Sequence, residues 1–315
     1  MKAILLALLL ASLAAAQTKP IPVIFDTDIG DDIDDALALA LALQSPELDV
    51  KLVTTVADNV ESRTRLAWKE LGVFGRQDVA LATGAPEPLL DRQLPDLAAQ
   101  FRLLTPQDQP PPAARERAAR RIIDTLLASD VKMTIIPVGP LTNIALALRE
   151  EPAIKGKIER IVLMGGAYYP PRREYNIYRD RIAAAIVFRS GVPITAVGLD
   201  VTEKCKMQPA DVERIKNAKS PSAQFLYKLI QLWQKDKQDQ MPTLHDPLAV
   251  AAALRASLIE TSAVSVDVDV ASPETGGTTT VRADPLSATR VARSVNTREF
   301  LDLFLERVTA PPRGN

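Results

Sequence analysis

The chain has 315 residues, 47% of them hydrophobic, and its 38 Lys and Arg against 39 Asp and Glu leave a net charge of −1. That length supports a sizeable core, and the balance excludes a disordered chain and a strongly basic nucleic-acid binder. Cys205 and His245 are the only cysteine and histidine. An internal disulfide, a Cys-cluster zinc site and any mechanism needing two imidazoles in one chain are therefore excluded.

Lys2, the apolar run over residues 3–13 and Ala14-Ala15-Ala16 follow the order of a secretory signal peptide, with cleavage expected before Gln17. Residues 1–16 are read as that leader and 17–315 as a single domain, secreted or periplasmic. The run is too short to span a bilayer, and no later segment reaches about 18 uninterrupted apolar residues, so no membrane association is expected after cleavage.

Beyond Pro20 the pattern predicts a strand over 23–28 and a helix over 35–44. The Leu/Ala alternation of that second stretch could mimic a strand, but alanine favours helices. A strand over 50–57, a helix over 63–74 and a strand over 79–82 follow. Then come a helix over 114–128, a strand over 133–138, a helix from Thr142, a strand over 160–164, a helix over 181–189 and a strand over 194–198. This alternation predicts an α/β fold, a mostly parallel central sheet with helices on both faces. Ligands of such sheets bind at the carboxyl ends of the strands. Residues 87–112 read as a long Pro-rich loop, functional or mobile. The chain after Gln208 is helical to about Ala256. It then forms a small β-rich extension (263–270 and 278–281, around a turn at 272–277) and closes with a helix over 297–308. No linker or internal repeat divides it.

The segment Asp26-Thr27-Asp28-Ile29-Gly30-Asp31-Asp32-Ile33-Asp34-Asp35 places six carboxylates in ten residues, with no Lys or Arg among them. Two carboxylates about 4 Å apart repel by roughly 4 kcal/mol at an effective dielectric near 20. Asp34 and Asp35 fall in the first turn of the following helix, where the dipole favours anions. Helix capping accounts for one or two of the acids but not for Asp26 and Asp28 at an apolar strand end. The remainder points to a divalent cation with oxygen ligands. An EF-hand is excluded by spacing, since Asp31 and Leu37 stand where glycine and glutamate are needed.

The Asp-x-Asp-x-Gly segment followed by Asp-Asp-Ala resembles the signature of the inosine-uridine preferring nucleoside hydrolases. The resemblance continues through Val56-Ala57-Asp58-Asn59, Pro137-Val138-Gly139-Pro140-Leu141-Thr142-Asn143, Val162-Leu163-Met164-Gly165-Gly166-Ala167, Glu174-Tyr175-Asn176 and His245-Asp246. Each motif is weak alone; their joint order at successive strand ends is specific. The resemblance implies calcium-dependent hydrolysis of the N-glycosidic bond of ribonucleosides to ribose and free base. It implies Asp28 as metal ligand and general base on the attacking water. Two extra residues separate Gly30 from Asp-Asp-Ala, and the spacing back from Asn59 keeps the family pattern only if Asp34 and Asp35 are the pair. Asp35 is then assigned to the metal and Asp34 to a ribose hydroxyl, with Asp32 as the rival. Asp246 and the Val138 carbonyl would complete the metal's ligands, and Asn59, Glu174 and Asn176 would hydrogen-bond the sugar. His245 would protonate the departing base. The expected partner is a small nucleoside, and a homo-oligomer, dimer or tetramer, is expected.

The chain also departs from the family. The His-Gly segment after the third strand is missing, and the short loop between Gly166 and Glu174 lacks the family's Asn before the Glu. That loop carries Tyr168, Tyr169, Arg172 and Arg173. The arginines could face a more anionic substrate, although exposed loop arginines are usually solvated. Tyr168, Tyr169, Tyr227 and Trp233 could stack a base, although packing is the commoner role for any one of them. Two other readings are a haloacid-dehalogenase-like phosphatase and a non-catalytic periplasmic nucleoside or sugar binder. The first needs a late Gly-Asp segment that is absent and would set a phosphate against six aspartates; the second needs neither a base nor an acid.

Overall fold

Apolar strands separated by amphipathic or wholly apolar helices assemble into one nine-stranded sheet in this computed structural model, which describes residues 19–89 and 98–313. The leader assigned to residues 1–16 and part of the Pro-rich loop lie outside the described residues. In chain order the elements begin with β1 (Ile21–Thr27), α1 (Asp34–Gln44), β2 (Leu48–Thr55), α2 (Val60–Val73), β3 (Ala80–Ala82), α3 (Ala118–Ala128) and β4 (Met133–Pro137). They continue with α4 (Thr142–Glu150), β5 (Ile158–Met164), α5 (Tyr175–Arg179), α6 (Arg181–Phe188), β6 (Ile194–Val197), α7 (Leu199–Thr202), α8 (Pro209–Asn217) and α9 (Pro221–Asp236). The last are α10 (His245–Leu254), β7 (Ile259–Val268), β8 (Thr279–Ala283), β9 (Thr289–Val295) and α11 (Thr297–Thr309).

The strand order is β3-β2-β1-β4-β5-β6-β9-β7-β8. All pairs from β3 to β9 are parallel, and β7 pairs antiparallel with both β9 and β8. The β-rich C-terminal region is therefore a continuation of the central sheet. Its β9 has no counterpart among the predicted strands. Arg290, Arg293 and Ser294 break its apolar run, and it becomes a strand by pairing in parallel with β6. One face of the sheet is covered by α1, α2 and α8 to α11, the other by α3, α4 and α6. Among the described residues no helix is long and apolar enough to cross a membrane.

The strand order reverses at β1, which lies between β2 and β4. At such a switch the connecting loops diverge to opposite sides and leave a crevice at the strands' carboxyl ends. Helices α1 and α10 pack against each other beside it. Both are rich in alanine and buried along almost their whole length, so small side chains let the two axes approach closely. Helix α1 begins with Asp34 and Asp35 and α10 with His245 and Asp246, and the packing therefore brings these acids together.

Candidate active site

A cavity of about 350 Å³ opens at this crevice, lined by Asp28, Asp34, Asp35, Val138, Glu174, Asn176, His245 and Asp246 among others. Its size suits a small-molecule ligand. Asp28 follows the last residue of β1, Val138 the last residue of β4, and Asp34, Asp35, His245 and Asp246 start α1 and α10. Carboxylate oxygens of Asp34, Asp35 and Asp246 lie within 4.8 Å of one another, and all three residues are buried. The Asp246 backbone N–H donates to Asp34 at 3.2 Å, and the Thr27 hydroxyl donates to Asp35 at 2.5 Å. Asp32 lines the cavity but is exposed, and its carboxylate accepts from the Ile33 backbone N–H at 2.7 Å.

Burial, then repulsion from neighbouring carboxylates, raises the acids Asp34, Asp35 and Asp246 well above the ordinary carboxylate range. Burial likewise pushes Asp28 up to about 6, against the pull of the Arg63 guanidinium. Among the described residues no Lys or Arg pairs with the trio. A hard dication would supply the missing charge, and an all-oxygen donor set fits one. Gly139 keeps the Asp28 carboxylate accessible: a Cβ there would stand 2.5 Å from Asp28 Oδ1.

Sequence reasoning did not single out Arg63, which is 1% exposed on α2. Its Nη1 donates to the Asp28 and Ile29 carbonyls and its Nε to the Ala57 carbonyl, the last at 2.9 Å. One side chain thus ties the loop after β1 to the loop after β2, where Ala57 and Asp58 adopt positive φ. The sequence motifs carry no signal for it, because Arg63 lies outside them and acts through backbone. Asn59 precedes α2, is half-buried, and is not among the residues that line the cavity.

The Glu174 carboxylate caps α5, accepting from the backbone N–H groups of Gly166, Asn176 and Ile177 at 2.9, 2.8 and 3.1 Å. Burial raises its pKa and these bonds oppose the rise. Asn176 donates from Nδ2 to the Val138 carbonyl at 2.8 Å. Across the cavity, His245 Nδ1 sits 2.7 Å from the hydroxyl of buried Thr202, which fixes the ring. Burial lowers the His245 pKa. Of the aromatic residues considered for stacking, Tyr168 and Trp233 are buried, and the Arg293 guanidinium covers the Tyr169 ring. The aromatic residue that does line the cavity is Tyr175, half of it exposed. The described part of the Pro-rich loop docks on the acidic turn: Gln100 donates to the Asp32 carbonyl at 2.6 Å, and Phe101 packs on Gly30.

Known proteins resemble this chain in sequence and fold. The sequence profile of the inosine-uridine preferring nucleoside hydrolases matches residues 23–302. The pyrimidine-specific ribonucleoside hydrolase RihA of Salmonella arizonae is 35% identical over 307 residues, covering 91% of this chain and 98% of that protein. The enzyme of the same name from Photobacterium profundum is 37% identical over 309 residues, with the same coverage. Among solved structures, a purine-preferring ribonucleoside hydrolase from Gardnerella vaginalis superimposes with a TM-score of 0.82 at 30% identity, over 91% of this chain and 98% of that one. Fold, buried acidic trio and matched length together establish that this chain belongs to the inosine-uridine preferring nucleoside hydrolase family and is an N-glycoside hydrolase.

Proposed function

We propose that the protein hydrolyses the N-glycosidic bond of ribonucleosides to ribose and free base, with calcium as its resident cation. The observation that carries this reading is the convergence of Asp34, Asp35 and Asp246 with Asp28 in a cavity that His245 also lines. Relatives named for pyrimidine specificity and for purine preference are both similar to this chain, so the reading covers ribonucleosides as a class.

Asp28, Asp35, Asp246 and the Val138 carbonyl would hold the ion, and oxygen ligands alone favour calcium over softer metals. When bound, the ion would orient the attacking water and make it more acidic. Asp28 takes the proton of that water, which the cation's field makes easier to remove. Asp34 faces a ribose hydroxyl, with Glu174 and Asn176 as further sugar contacts; Asn59, outside the cavity lining, is left without one. Positive charge developing at the sugar ring is favoured by the surrounding acids. His245, held by Thr202, donates a proton to the departing base, and its lowered pKa makes the protonated ring a stronger acid. Lys2, the apolar run and the alanine triplet support a secreted or periplasmic location for this chemistry.

The test is to incubate the protein with a panel of ribonucleosides, with and without chelator, and to measure free ribose and free phosphate. Ribose release that chelation abolishes and added calcium restores is the expected result. Saturable binding without turnover, or turnover indifferent to chelator, would overturn it.

A further inference from the structure

Arg172 and Arg173 are neighbours in sequence with different surroundings. Arg172 pairs with Glu203 at 2.7 Å, both side chains about half exposed, an ordinary solvated ion pair. Arg173 lines the active-site cavity. Its Nε donates to the Gly276 carbonyl at 3.0 Å and its Nη2 to the Pro273 carbonyl at 2.9 Å. The guanidinium carbon lies 4.8 Å from the centre of the Tyr178 ring, and the Arg173 backbone bridges to Thr278. The turn between β7 and β8 therefore fixes a loop arginine that would otherwise be free.

All of these partners are neutral, so they orient the cation without cancelling its charge. Among the described residues no carboxylate pairs with Arg173 and Nη1 has no hydrogen-bond acceptor. Lys237, the residue after α9, lines the same cavity and is exposed. The cavity thus has buried acids at its floor, while its solvent side carries Arg173 and Lys237 beside the half-buried Asp31 and exposed Asp32. A planar guanidinium held by two carbonyls, with one nitrogen unused, is prepared for an oxyanion.

We propose that this side of the cavity is a subsite for an anionic group on the substrate, received by Arg173 and Lys237, so that ribonucleosides bearing a phosphate or a carboxylate are hydrolysed as well as neutral ones. This deepens the nucleoside hydrolase reading and rests on it. Arg173 precedes Glu174, assigned above to the sugar, which favours a phosphate on the ribose as the source of the anion. The reaction is then nucleoside 5′-monophosphate plus water giving ribose 5-phosphate and free base. The bond from C1′ to the base nitrogen breaks and a C1′–O bond forms. One water proton passes to Asp28, and the base nitrogen gains one from His245.

The test compares kcat/KM for uridine, uridine 5′-monophosphate and orotidine, whose base carries a carboxylate, on the full protein loaded with calcium. The expected ratio of at least one anionic substrate to uridine is near or above unity at low salt. It should fall about tenfold in Arg173→Ala, fall less in Arg173→Lys, stay unchanged in Arg172→Ala, and decline as salt screens the subsite. An Arg173-dependent ratio for the monophosphate identifies a phosphate subsite; one for orotidine alone identifies a carboxylate subsite. Uridine turnover with both anionic substrates at or below about one-hundredth of it, or ratios unmoved in Arg173→Ala, would overturn the proposal while sparing the nucleoside hydrolase reading. Absence of turnover on all three substrates and on inosine would remove both.

Discussion

The floor of the cavity and its solvent side handle charge in opposite ways. On the floor, Asp34, Asp35 and Asp246 are buried and crowded, and two helix N-termini hold them together against their repulsion. On the solvent side, Arg173 and Lys237 are exposed, where a charge costs little and means little unless something fixes it. The contrast teaches that burial makes a charge reactive, whereas at the surface ordering makes it selective. Arg63 combines both: it is buried, it is cationic, and it binds the backbone of the loop that carries Asp28.

The sharpest way to break this comparison is to remove the buried carboxylate proposed as the general base. Asp28→Asn should leave the circular dichroism spectrum unchanged and lower ribose release by about 10³-fold, in the range for a lost general base and ligand. Retained turnover would reassign the base. Gly139→Ala tests the geometry of the floor without touching its charge. Its methyl would meet Asp28 Oδ1, and displacement of that carboxylate by a fraction of an ångström should cost about 10²-fold in kcat. His245→Ala should cost a similar factor in kcat with little change in KM, as expected for a proton donor used in the transition state. Equal turnover of variant and wild type would remove its role.

The smallest effect concerns burial alone. Glu70 on α2 is buried, neither of its carboxylate oxygens has a hydrogen-bond partner among the described residues, and burial raises its pKa well above the ordinary value. A carboxyl that keeps its proton in the folded state lends stability below its unfolded pKa, near 4.3, that is lost as pH rises toward the folded value. Glu70→Gln should therefore match the wild type near pH 4 and be the more stable of the two at pH 8, with or without chelator. Thermal unfolding across that pH range measures the difference. A gain that depended on chelator would tie Glu70 to the metal floor instead.

Much of the fold was legible because its periodicities are local. The run over Asp34–Gln44 declares a helix through its alanines, and strands β1 to β6 declare themselves by short apolar runs between turns. The acids were legible for the same reason, since six carboxylates in ten residues announce a cation by their crowding alone. The placement of Asp32 against that of Asp34 and Asp35 depends on packing across the molecule: Asp32 is exposed and accepts from the Ile33 N–H, while the other two meet Asp246 from a distant helix. Strand β9 was illegible because its charged residues mask the alternation. Arg63 was illegible because it reads as one more surface arginine on a helix.

The amino-acid order by itself determined which segments are strands and helices, where acids cluster and which residue types were available for acid and base. Those properties depend on neighbours within a few positions along the chain. Only the tertiary structure decided which acids share one cation-sized space, that Thr202 holds His245, and that Arg173 is fixed while Arg172 is solvated. Each of those rests on contacts between residues far apart in sequence, such as Asp34 with Asp246 and Arg173 with Gly276. Packing of the sheet and its helices sets such distances, and no local pattern encodes them.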